Sequence, residues 1–416
     1  MAIRRTRSQH SNRLTMTTIE DARLLFPGTA GCIYLENSAQ GLLPSTAREA
    51  ALRYYDARIA GVAKETDPVF DAEAQACESF ASLVGATHDE ITLTRNVTDG
   101  LNIFVTALPW KAGDNAIVSK EVEHPNGVYA LYNMRQRHGI EVRMVEAGSD
   151  LSISVDAIAR AIDSRTRLVI VSSVTFSTGA RTDLAALGQL CQARGVTLLV
   201  DAAQSVGALD IDVRAYNIDG LVVGASKYLC GPYGLGFLYI RRALADSLHP
   251  TYLGRYSIDL GNAHEGDQGD SAYQLMPGAK RFDSGSYNYS SASAAVASMD
   301  ILKAVTVPVI EQHVLRVAKL LDEGLRAMGL PILSGGNECH RSHLVLMGLR
   351  QPTTEQRQLF VALSDFFTAK NIRVSQRQGR LRFSFHLYNT SDEVQAVLAA
   401  THEWMQSKHI STAHFK

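Results

Sequence analysis

Thr197-Leu198-Leu199-Val200-Asp201-Ala202-Ala203-Gln204 is the stretch that decides the fold. Its Leu-Leu-Val run does not alternate with polar residues, so it reads as a strand covered on both faces. It then ends on an acid, with an amide three residues later. Similar runs lie on either side, at 115–120, 141–146, 167–174, 219–226 and 235–240. Between several of them lie helix-length segments at 126–139, 155–164 and 183–195, the last closing on Arg194-Gly195, a helix C-cap signal. Strand–helix–strand repetition implies right-handed crossovers and a mostly parallel sheet. The expected fold class is therefore α/β, with a large sheet domain over 45–290. Residues 291–416 read as a smaller α+β unit, with long helices over 289–328 and then strand, helix, strand, helix over 343–416. Residues 18–44 are expected to pack near the active site.

Composition narrows the functional classes. The chain has 416 residues, is 46% hydrophobic and 20% charged, and carries a formal charge of -1. That excludes a disordered tail and a dedicated nucleic-acid binder. No apolar run approaches the roughly 18 residues of a membrane-spanning helix. The five cysteines, Cys32, Cys77, Cys191, Cys230 and Cys339, are widely spaced. Neither a disulfide framework nor a zinc ribbon is indicated, and a reduced, cytoplasmic protein is expected. Residues 1–17 hold four arginines and no acid. They have the composition of a mitochondrial transit peptide, but a flexible leader, or a start at Met16, is the preferred reading.

In open α/β sheets, ligands bind beyond the carboxyl ends of the strands. Three chemical groups fall there: Asp201 with Gln204, Lys227 after the 219–226 run, and His124 after the 115–120 run. A lysine ending a buried strand is unusual, since lysine is seldom buried unless paired. A salt bridge to Asp201 would explain it. The following turn, from Tyr228 to Gly236, contains three glycines and a proline and lets backbone approach a ligand closely.

Together, Asp201-Ala202-Ala203-Gln204, Ser226-Lys227 and this Gly/Pro turn resemble the pyridoxal-phosphate (PLP) class V aminotransferase family, which includes cysteine desulfurase-like enzymes. The resemblance runs from about Tyr34 to the C-terminus and implies the fold-type-I architecture. It implies Lys227 as the Schiff-base lysine and Asp201 as the acid facing the pyridine nitrogen. Gln204 matches the partner of the phenolate oxygen, and His124 the imidazole stacked on the ring. Val97 and Thr98, opening a helix-like stretch, match the phosphate-binding turn, and Ser226 precedes the lysine. Ser286 matches a hydroxyl that reaches the neighbouring subunit's phosphate, which implies a homodimer with the active site at its interface. Arg382 matches the arginine that grips the α-carboxylate of an amino-acid substrate, with Arg380 as a nearby competitor. Asn37 and Gln40 lie in a segment resembling the loop that borders the substrate.

The chain also departs from the desulfurase pattern. Desulfurases carry a mobile-loop cysteine shortly before the carboxylate-binding arginine, and 359–380 contains no cysteine. Ser226 stands where desulfurases have histidine, and Phe176 where they have asparagine. Both features look more like the isopenicillin N epimerase-like and sulfoxide lyase-like members. The expected function is a PLP-dependent lyase eliminating at Cβ of an amino acid, with Lys227 removing the α-proton. An aminotransferase or epimerase is the alternative, and a non-catalytic scaffold a remote one. Cys230 reads as a buried apolar residue, and Cys339-His340-Arg341-Ser342-His343 lacks the second ligand pair a metal site needs. No metal, nucleic acid or membrane partner is expected.

Overall fold

The structure is a computed structural model that describes residues 18–61, 71–119, 121–148, 151–264, 273–334 and 338–415. The expected leader, 1–17, lies outside the described residues. Thirteen strands are described: β1 Ile33–Leu35, β2 Ile91–Thr94, β3 Asn115–Ser119, β4 Glu141–Val145, β5 Thr166–Ser172, β6 Thr197–Asp201, β7 Gly220–Gly224, β8 Gly236–Ile240, β9 Ile258–Asp259, β10 Gln274–Leu275, β11 Leu344–Met347, β12 Ile372–Arg377 and β13 Arg380–Ser384.

Seven strands form the large sheet, in the order β2-β8-β7-β6-β5-β3-β4. From β7 to β4 all neighbours are parallel. Only β8 runs antiparallel, against both β7 and β2. Helices Pro125–His138, Val155–Ala161 and Leu184–Arg194 make the crossovers from β3 to β4, β4 to β5 and β5 to β6. The last ends on Gly195 at φ +63°, a left-handed cap that glycine adopts without strain.

The lack of alternation in the strands has a direct cause. Ile117, Val169, Val171, Leu198 and Val200 pack into the core on one face, and Val118, Leu168, Ile170 and Leu199 into the core on the other. Close approach of helix to sheet is set by Gly100 in helix Val97–Ala107, where a Cβ would lie 2.9 Å from Val222 Cγ1.

The second sheet, β1-β12-β13-β11, joins an N-terminal strand to three from the C-terminal part of the chain. β1 pairs parallel with β12, so Ile33–Leu35 is a structural part of the C-terminal sheet. Two of its strands, β1 and β12, are not among the runs expected from sequence. Helices Tyr289–Val305 and Val307–Ala327 meet at Thr306 with an 80° bend. Among the described residues no single helix is long and apolar enough to cross a membrane.

Asn37 is the clamp between the two ends. Its Nδ2 donates to the Ser384 carbonyl at 2.6 Å, and its Oδ1 accepts from the Tyr388 hydroxyl. Four residues on, Gly41 N–H donates to the Ser226 carbonyl at 2.9 Å, and a Cβ there would sit 2.0 Å from the Lys227 carbonyl oxygen. Gly41→Ala must displace the backbone that carries Lys227. Overpacking of this kind costs about 1–3 kcal/mol. Thermal unfolding of the variant is expected to show a lowered Tm, and an unchanged Tm would mean that the contact yields freely.

Candidate active site

A crevice lies at the carboxyl ends of the parallel strands. It is lined by Val97, His124, Asn126, Ser172, Phe176, Asp201, Ala203, Gln204 and Lys227. β5 and β6 end side by side there, with Ser172 and Asp201 in register. β3 leads into His124, and β7 ends three residues before Lys227.

Lys227 sits in the turn joining β7 to β8. Three backbone bonds hold this turn: Ala225 N–H to the Leu235 carbonyl, Gly231 N–H to that of Ala225, and Cys230 N–H to that of Lys227. Burial holds the Lys227 amine below its ordinary range. Asp201 opposes that shift, and Arg382 and Arg377 add to it. Lowering an amine's pKa raises its neutral, nucleophilic fraction at neutral pH. Asp201 is buried, and burial pushes its carboxyl up. The Ala203 N–H, 3.0 Å from Oδ1, and the charges of Lys227 and His124 pull it back. Asp201 and Lys227 thus each favour the charged form of the other.

His124 caps helix Pro125–His138. Its Nδ1 accepts the Asn126 N–H at 3.3 Å, which assigns the ring proton to Nε2. Burial lowers its pKa, Asp201 opposes, and Lys227 reinforces. Phe176 meets the imidazole edge-on, with centroids 4.6 Å apart. Gln204 Nε2 donates to the Ser38 carbonyl at 3.0 Å, while its buried Oε1 has no partner.

Helix Val97–Ala107 brings its first residue, Val97, into the crevice lining. Asn96 caps it by accepting the Asp99 N–H at 2.9 Å. The N–H groups of Val97 and Thr98 are outside the helical ladder and suit an anion. Asn126 Nδ2 donates to Thr98 Oγ1 at 2.5 Å and ties this helix to the one that carries His124.

Arg382, on β13, is fully buried. Nη1 donates to the Phe176 carbonyl at 2.7 Å, and the guanidinium lies 5.4 Å from the Phe176 ring centroid. Nε and Nη2 have no partner. These two nitrogens form one edge of the guanidinium fork, the edge that takes a carboxylate bidentately. Burial brings its pKa down to about 10. Arg380, the sequence competitor, spends its side chain on the carbonyls of Leu349 and Arg350.

Six expected site residues are not in the crevice lining: Thr98, Ser226, Arg382, Asn37, Gln40 and Ser286. Asn37 is buried in the clamp described above. Gln40 is exposed, and its carbonyl accepts from the Tyr34 hydroxyl. Ser286 is exposed, at φ +52°. Conversely, Ser172, Phe176, Asn126 and Glu123 were not singled out as site residues by sequence. Glu123 accepts the Ser172 N–H at 2.7 Å and the Ser172 hydroxyl as well. Only its place beside His124 hinted at this.

The donor set fits pyridoxal phosphate: an amine, a carboxylate at the floor, an imidazole at the side and a helix N-terminus for the phosphate. Comparisons with known proteins agree. The family model for class-V aminotransferases matches residues 33–397. A probable cysteine desulfurase of Pyrococcus abyssi (strain GE5 / Orsay) is 25% identical over 401 residues, 93% of this chain and 98% of that relative. The apo cysteine desulfurase of Thermococcus onnurineus NA1 matches with a TM-score of 0.82 at 24% identity, over 94% of this chain and 99% of that one. A C-DES mutant with glycine covalently linked to the PLP cofactor matches at 0.81 and 25% identity, over 91% and 98%. The cystine C-S lyase C-DES with its product cysteine persulfide matches at 0.80 and 25% identity, over 90% and 98%. With the fold-type-I architecture and this donor set in place, the chain belongs to the class-V aminotransferase family of pyridoxal-phosphate-dependent enzymes.

Proposed function

We propose that this enzyme is a β-eliminating C–S lyase acting on a small sulfur-containing amino acid, and not a persulfide-forming desulfurase. The observation that carries this reading is the β12–β13 connection. Arg377 pairs with Arg380 across a turn of only Gln378 and Gly379, both at positive φ. No loop exists between these strands to deliver a cysteine, and none of the nine residues lining the crevice is a cysteine. Cys230, the nearest to Lys227 in sequence, is buried, and burial drives its thiol pKa far up, away from the reactive thiolate. The name of C-DES, a cystine C-S lyase, supports the same reaction class for this chain.

Each residue then has a role. Arg382 Nε and Nη2 take the substrate α-carboxylate and fix the Cα–H bond relative to the Lys227 amine. Lys227 Nζ accepts the α-proton. Asp201 would keep the pyridine nitrogen protonated, and Gln204 and His124 would hold the ring. The Val97 and Thr98 N–H groups would hold the phosphate, with Ser286 added from a second copy of the chain in a homodimer. The cofactor, when bound, supplies the electron sink for the charge left at Cα. Loss of the sulfur substituent from Cβ and uptake of water give pyruvate, ammonia and a thiol.

L-Cysteine, L-cystine and S-substituted cysteines, offered to the purified holoenzyme, are expected to yield pyruvate and ammonia in equal amounts. Amino transfer to an added 2-oxo acid without free ammonia would overturn the lyase reading. So would alanine with a protein-bound persulfide. Lys227→Ala is expected to abolish both turnover and the visible absorbance of the bound cofactor.

Arg382→Ala and Arg382→Lys separate binding from chemistry. Removing one partner of a buried charge pair costs about 2–5 kcal/mol, so kcat/KM is expected to fall by on the order of 10²-fold or more. Arg382→Lys is not expected to rescue it, because an ammonium cannot form the fork. Recovery of KM in the lysine variant would count against bidentate binding.

Glu123 adds a pH signature. Burial raises its carboxyl from 4.5 to about 7, with the Asp201 charge adding and the Ser172 bonds opposing. The folded state therefore holds a proton that the unfolded state has lost between those values. Stability from this group is full below about 4.5 and is lost as pH rises through about 7. Urea unfolding of the apoprotein at pH 5 and pH 8 is expected to show a smaller drop for Glu123→Gln than for wild type. An equal drop in both proteins would remove Glu123 from this account.

A further inference from the structure

A second cavity, of about 300 Å³, lies between helix Val307–Ala327 and the segment leading into β11, and shares no lining residue with the crevice. Its size is at the lower end of small-molecule sites. One wall is apolar: Leu315 and Ala318 from the helix, Leu344 and Val345 from β11. Leu315, Ala318, Lys319 and Asp322 follow the spacing of a single helix face, so one helix presents apolar, cationic and anionic groups to the same space.

Asp322 is the informative residue. Its side chain is 6% exposed, and Oδ2 accepts from Arg326 Nε at 3.0 Å. Arg326 is committed further back, with Nη2 donating to the Ser334 carbonyl at 2.8 Å. Oδ1 has no partner. A buried carboxylate oxygen without a donor is costly, and a ligand donor entering the cavity would satisfy it. At the rim the charge reverses. Lys319 and Arg341 both reach toward Glu338 over 3.7 Å, and the Glu338 side chain is 81% exposed. Such long, solvated pairs contribute little and give way readily to another carboxylate.

We propose that this cavity binds a zwitterionic amino acid with an aliphatic side chain. Its ammonium meets Asp322 Oδ1, its carboxylate faces Lys319 and Arg341, and its side chain packs on Leu315, Ala318, Leu344 and Val345. The site is joined to the crevice by one turn, Val174 to Arg181, closed by a bridge between those two residues. Phe176 lines the crevice at one side of it, and Arg181 lines the cavity at the other. The cavity wall holds that turn through Ser342 Oγ to the Gly179 carbonyl at 2.5 Å and Arg181 N–H to the His340 carbonyl at 2.9 Å.

The test is titration calorimetry of the holoenzyme with L-leucine, 3-methylbutylamine and 4-methylpentanoate. The last two each lack one charged end. L-Leucine is expected to bind wild type and Arg382→Ala alike, and to lose at least tenfold in affinity in Asp322→Asn. Each single-charge analogue is expected to bind at least tenfold more weakly than L-leucine. Ala318→Trp, which fills the cavity without touching a charge, is expected to abolish binding while circular dichroism stays unchanged. Binding that survives Asp322→Asn and Ala318→Trp but disappears in Arg382→Ala would assign L-leucine to the crevice and overturn the proposal. Absence of saturable binding to wild type would overturn it as well.

Discussion

Everything at this site depends on holding one half-buried amine largely away from water. Lys227 lies where two cations, Arg382 and Arg377, and one carboxylate, Asp201, act on it through a medium that screens poorly. Burial and the arginines favour the neutral amine, and Asp201 favours the ammonium. A fully solvated lysine would be protonated and chemically inert. A buried lysine without Asp201 would leave the crevice with uncompensated positive charge. The arrangement works because the carboxylate ends a central strand and cannot retreat. β6 is flanked by β5 and β7, and the Asp201 side chain is pinned by the Ala203 N–H.

The turn that carries Lys227 is held from a direction the local sequence does not reveal. The Ser226 carbonyl accepts from Gly41, a Cβ on Gly207 would sit 2.1 Å from the Tyr228 carbonyl oxygen, and His386 Nε2 lies 2.8 Å from the same oxygen. Residues from both ends of the chain therefore meet behind the lysine. This explains why a short strand near the N-terminus joins the C-terminal sheet. The clamp at Asn37 makes Arg382 on β13 and the lysine turn parts of one body.

What could be read from sequence follows from range. Runs such as Leu198-Leu199-Val200 announce a strand buried on both faces, because each residue meets a core whichever way it points. Asp201, Lys227 and His124 stood out because each interrupts or follows such a run. Arg382 was found through its resemblance to a family motif. Its physical distinction, two orphaned donors at complete burial, exists only once Phe176 has taken Nη1. Glu123 was missed for the same reason: its partner Ser172 is forty-nine residues away. β1 escaped because three residues that pair with a strand near the other terminus carry no periodic signal. Asn37 reads in sequence as a polar residue in a loop near the site, and its partners, Ser384 and Tyr388, lie 347 and 351 residues away.

The absence of cysteine from 359–380 is a fact of sequence, but it gains force from backbone geometry. An absent residue can be replaced from elsewhere if a neighbouring loop reaches in. Here the β12–β13 connection is as short as an antiparallel hairpin permits, with Gln378 and Gly379 at φ +51° and +73°, as a type I′ turn requires. Arg377 and Arg380 close it as a register pair. Two residues cannot fold back toward the crevice and also complete the ladder that positions Arg382 opposite Ser375. Shortening this hairpin and seating Arg382 rigidly are thus one structural choice. It leaves the β12–β13 connection no length with which to carry a thiol into the crevice.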